Sequence, residues 1–148
     1  MRHFAHLAKR FIASLSRSDV SETELDMVRS ALSAGEFDLW CRFANADRRH
    51  SIAVAQRFIA LRPKASRNEI AGVLLHDIGK IESNLSTVQR VVATIVGPRT
   101  NQFALYHQHE TIGAELLRRA GSHTEVIAVV NQTCTADAVE AFRAADNI

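Results

Sequence analysis

Apolar residues recur along this chain at three- and four-residue intervals, and no stretch alternates with the period of two expected of a half-buried strand. Ile52, Ala55 and Ile59 share one face, as do Val88, Val91, Val92 and Ile95. Ile112, Leu116 and Leu117 follow, then Val126, Val129 and Val130. A last helix is predicted from Ala136 to Asn147, with Val139, Phe142 and Ala145 turned inward. Three Ser-x-x-Glu segments mark helix starts: Ser21 to Glu24, Ser66 to Glu69 and Ser122 to Glu125. In each, the serine accepts from an early amide and the glutamate reaches back to the cap. Val20 and Leu25 are spaced as a hydrophobic staple across the first of these starts. Pro63, Gly79, Gly97-Pro98 and Gly121 mark ends. The pattern predicts an all-α fold, a compact bundle of about eight or nine short helices with no sheet.

The first 45 residues read as a helical extension, with helices over residues 2–15, 22–33 and 36–43. In the first of these, Phe4, Leu7, Phe11 and Leu15 oppose Arg2, Lys9, Arg10 and Arg17. Such a face either packs on the domain or a second subunit, making a homodimer plausible, or lies on an anionic membrane surface. Phe37 and Trp40 read as core. A chain of 148 residues suits one domain, with residues 1–45 as the extension and 46–148 as the central part.

Charge and cysteine content narrow the classes. A net charge of +2 gives no strong pull towards a nucleic acid polymer but suits a small anionic substrate. Cys41 and Cys134 have no metal-binding spacing and are expected as buried free thiols of a reducing compartment. No apolar run has the length of a membrane span, and the N-terminus lacks the apolar stretch of a signal peptide, so a cytoplasmic location is expected.

The chemistry concentrates in Leu74-Leu75-His76-Asp77-Ile78-Gly79-Lys80. An imidazole and a carboxylate stand side by side at the end of an apolar run, where polar groups without partners are costly to bury. A cation would partner both. His50 lies 26 residues upstream, His109 lies 32 downstream, and Asp146 stands near the C-terminus.

The order H…HD…D resembles the HD-domain superfamily of metal-dependent phosphohydrolases, and the His76-Asp77-Ile78-Gly79-Lys80 run resembles its HDIG-type members. The resemblance spans roughly residues 46–148. It is carried by Asp47-Arg48-Arg49-His50-Ser51, the HDIGK run, His109-Glu110-Thr111-Ile112-Gly113-Ala114 and Ala144-Ala145-Asp146. It implies that His50, His76, Asp77 and Asp146 ligate one divalent ion. Nitrogen and oxygen donors without thiolate suit Mn, Fe, Co, Ni or Zn, with Mg also allowed.

By the same resemblance, Asp77 also orients the nucleophilic water. Lys80 is either a phosphate contact or a helix-end lysine offsetting the dipole. Arg49 is a second phosphate candidate, and Arg99 a weaker one. In HDIG-type relatives a histidine placed like His109 holds a second ion together with a later His-His pair. Asn131-Gln132 occupies the place of that pair, which argues against a second ion and leaves His109 to contact the phosphate or protonate a leaving oxygen. His107 reads as a bystander, and His3, His6 and His123 match no motif.

The resulting expectation is a metal-dependent phosphohydrolase acting on a small phosphate ester such as a nucleotide. Two alternatives stand beside it. One is a catalytically degenerate module that binds metal or nucleotide as a regulatory or interaction domain. The other is a helical interaction domain whose histidines are structural.

Overall fold

The computed structural model describes residues 19–82 and 109–147. Helix α1 spans Glu22–Ala31, α2 Ala34–Cys41, α3 Asn45–Leu61 and α4 Arg67–Leu74. A 3-10 helix follows at Ile78–Glu82, then α5 at His109–Arg119, α6 at Thr124–Val130 and α7 at Ala136–Asp146. Among the described residues there is no strand, so the all-α expectation holds. The expected helices over residues 2–15 and through Val88–Ile95 lie outside the described residues, as do Gly97-Pro98, Arg99 and His107.

Capping chemistry sets most of the starts. Ser21 and Ser66 form the expected capping boxes with Glu24 and Glu69. Val20 and Leu25 both pack against the core, as a staple should. A further box joins Ser33 to Glu36 and starts α2 two residues before the expected position. Sequence reasoning had placed Ser33 inside the preceding helix, and the backbone leaves that helix at Leu32, extended at φ −97° and ψ 146°. The expected box at Ser122 and Glu125 does not form. His123 is the N-cap of α6 and its ring accepts from the Glu125 amide, while Ser122 Oγ is buried with no hydrogen-bond partner. Gly121 explains the shift: at φ 77° it closes α5, and its own amide and that of Ser122 turn back onto Arg118 and Leu117.

Helix α4 stands at the centre, packed against α1, α3 and α6, while α5 lies along the 3-10 helix and α7 along α3. Val28, Trp40, Ile52, Phe58, Leu74, Leu75, Ile78, Leu117, Val126 and Phe142 belong to one apolar cluster. On α7 the fully turned-in residues are Ala138, Phe142 and Ala145, with the expected Val139 only half-buried. Helices α4 and α6 touch at Gly72, where an added Cβ would sit 2.5 Å from Val129 Cβ. Gly113 brings α5 down on the 3-10 helix, 3.1 Å from Ile78 Cγ2 and 3.2 Å from the Gly79 nitrogen by the same measure.

The cysteines depart from expectation. Cys41 is exposed and Cys134 half-buried, because Cys41 ends α2 on its outer side and Cys134 lies in the turn before α7. Burial raises the Cys134 thiol above its usual range. Among the described residues no helix is long and apolar enough to cross a membrane.

Candidate metal centre

The backbone around His76 and Asp77 differs from expectation in a way that assembles the site. Helix α4 stops at Leu74, five residues before the Gly79 that was expected to end it. His76 and Asp77 therefore occupy the turn between α4 and the 3-10 helix. That turn tightens to three-residue hydrogen bonds, with the His76 amide donating to Val73 O, Ile78 to Leu75 O and Lys80 to Asp77 O. On a regular helix adjacent side chains diverge by about 100°. Leaving the helix removes that constraint. Leu74, Leu75 and Ile78 are fully buried and pin the turn from below.

His50 projects from α3 and Asp146 from the last position of α7. Asp146 Oδ1 lies 3.2 Å from His50 Nε2 and 3.6 Å from His76 Nε2. Asp77 Oδ2 lies 3.4 Å from His76 Nε2. The ligand atoms of His50, His76 and Asp77 all fall within 4.8 Å of one another. The Phe142 ring meets the His76 ring edge-on at 5.1 Å, forming an apolar wall beside that imidazole.

The tautomer of His76 follows from its hydrogen bond. Nδ1 lies 2.7 Å from Val73 O and can only donate there, leaving Nε2 as the free lone pair of the neutral ring. That Nε2 is buried and has no hydrogen-bond partner. A buried polar atom without a partner requires an explanation, and a cation supplies one. Metal-bound histidines commonly donate their other ring nitrogen to a carbonyl, as His76 does to Val73. Bonds of about 2.1 Å at right angles set neighbouring ligand atoms about 3 Å apart, and the observed 3.2 to 3.6 Å separations are close to that spacing. His50, His76 and Asp77 could together hold one divalent ion.

Electrostatics agree. Burial acts to lower the His76 pKa, but the neighbouring Asp77 carboxylate above all, with Asp146 and the Val73 carbonyl, outweighs it and holds the imidazole above its ordinary value. The pocket thus favours positive charge, as a proton or as a metal.

The remaining predicted residues are placed as follows. Lys80 Nζ lies 2.6 Å from Asp77 Oδ2, at the edge of the site and with little exposure. Arg49 is half-buried on α3 next to His50. His109 is the first residue of α5, one turn before the Gly113 that rests on Ile78 and Gly79. Asn131 is exposed, and the Gln132 amide oxygen accepts from Arg143 Nε at 2.8 Å. Gln132 itself is left-handed at φ 55°. Sequence reasoning missed Arg57, whose Nε donates to Ala145 O at 2.7 Å. Its one signal was position: it stands seven residues after His50, on the same face of α3.

Among the comparisons with known proteins, residues 48–140 match the family model described as HD domain. No curated protein and no solved structure matches.

Proposed function

The chain belongs to the HD-domain family, and from that premise we propose that it is a metal-dependent phosphohydrolase of HDIG type, cleaving a small phosphate ester such as a nucleotide. The observation carrying the proposal is the buried Nε2 of His76, held without a hydrogen-bond partner among a second imidazole and two carboxylates. His50, His76, Asp77 and Asp146 would hold one divalent ion of the Mn, Fe, Co, Ni, Zn or Mg group. When bound, that ion supplies Lewis acidity towards a phosphoryl oxygen and acidifies the attacking water.

The protein's own groups do the rest. Asp77 has its second role as acceptor of the water's proton, and its carboxylate is aligned by the Lys80 ammonium at 2.6 Å. Lys80 and Arg49 offer positive charge to the phosphate, Lys80 as a compact point charge and Arg49 as a fork. His109 protonates the departing oxygen, a task suited to an imidazole near neutral pH. A single ion is favoured because the Gln132 oxygen already accepts from Arg143.

The test is metal analysis of the purified protein, then phosphate release from a nucleotide panel with added Mn, Co or Ni. Metal at about one ion per chain with turnover, lost in Asp77→Ala, is the expected result. No metal under any loading condition would sink the proposal. Metal and tight nucleotide binding without turnover would instead support the regulatory module, a reading that the exposed Asn131 and committed Gln132 also allow.

A further inference from the structure

Resting on the metal-centre reading, we infer that Arg57 is a positioning residue that clamps the C-terminal end of α7 and so sets Asp146 against the two imidazoles. Arg57 and His50 are seven residues apart on α3, two turns, and hence on one face. Side chains on a helix lean towards its N-terminus, so the Arg57 side chain is directed along α3 towards His50. Both side chains reach the same place on α7. His50 Nε2 meets the Asp146 carboxylate at 3.2 Å, and Arg57 Nε donates to the carbonyl of the adjacent Ala145 at 2.7 Å.

That carbonyl needs an outside donor. The last four carbonyls of a helix have no partner within it. The Asn147 amide serves Arg143 O, while Ala145 is fully buried and cannot turn to water. Among the described residues, Arg57 is its donor. The terminal turn of a helix frays readily, and Asp146 is the final residue of α7. Without the clamp, the carboxylate shared by His50 and His76 would hang on a frayed end. Arg57 does not touch the proposed ion. It acts through the backbone next to one ligand, in the way outer partners orient metal ligands.

The experiment is calorimetric titration of Mn into the wild-type chain and into Arg57→Met, Arg57→Gln and Arg57→Lys. Met keeps the apolar stem and removes the donor; Gln removes reach but keeps polarity; Lys keeps a donor. Roughly tenfold or greater loss of Mn affinity in Met and Gln, with recovery in Lys, is expected. Unchanged affinity in whichever of Met or Gln retains the wild-type circular dichroism would overturn the clamp.

Should the wild type itself take up no Mn, the metal reading fails separately. The clamp is then decided on the metal-free protein by the imidazole resonances of His50. These should move in Arg57→Met and Arg57→Gln towards their positions in Asp146→Asn. Resonances that stay at the wild-type position would overturn it.

Discussion

At the scale of single residues, His76 concentrates the energetics of the site. Its Nδ1 is committed to Val73 O and its Nε2 is buried beside two carboxylates, so removing the ring takes away both the proposed ligand and its fixed tautomer. His76→Ala is therefore expected to lower divalent-metal affinity by more than the roughly tenfold to hundredfold that outer partners contribute, measured by calorimetric titration. Glu69 carries a second residue-scale expectation, one of pH. Two hydrogen bonds from Arg62, at 2.9 and 3.1 Å, chiefly hold its carboxyl below the usual range, against burial, with help from the Ser66 amide. A lowered folded-state pKa gives stability that is complete above the unfolded value, about 4.3, and lost as pH falls through the folded value. Urea unfolding of Glu69→Gln should thus show a deficit of about 1–3 kcal/mol at neutral pH. That deficit should shrink as the medium is acidified below about pH 4, and a pH-independent difference would contradict the account.

At the scale of elements, the decisive packing is between α4 and α6. Gly72 lets the helices meet where any Cβ would press on Val129 Cβ at 2.5 Å and Val126 O at 3.0 Å. Val129 belongs to a helix and cannot yield without moving α6. Gly72→Ala should cost about 1–3 kcal/mol through overpacking, read as a lower urea midpoint with an unchanged slope. The elements also show what was legible in the sequence. Helical spacing and the Ser21 and Ser66 boxes identified α1 and α4 because capping is local chemistry, complete within four residues. Ser122 misled because the Gly121 turn sends the Ser122 amide to Leu117 O, and the His123 ring takes the Glu125 amide. The end of α4 at Leu74 was not legible either. Gly79 is the visible stop, yet the chain leaves the helix earlier so that Leu75 and Ile78 can both be buried beside it.

At the scale of the whole molecule, the proposed ion would join three parts of the chain that are remote in sequence: α3, the turn after α4, and the end of α7. A ligand that binds only the folded state stabilises it, by about 2.7 kcal/mol at a hundredfold excess over Kd. For a chain of this size, that corresponds to a rise in Tm of roughly 5–10 °C. Added Mn should raise Tm in that range, and a chelator should reverse it. A Tm indifferent to both would favour a helical domain with structural histidines.

The sequence by itself determined the helical class, the starts of α1, α4 and α7, and the identity of His50, His76, Asp77 and Asp146 as a candidate set. Periodicity and capping act over a few residues, and an ordered motif survives any folding. Only the tertiary structure decided that Asp146 lies 3.2 and 3.6 Å from the two imidazoles, that His76 Nε2 is left without a hydrogen-bond partner, and that Arg57 donates to Ala145 O. Those relations span as many as 96 residues. They arise from α3 packing along α7, which no local pattern records.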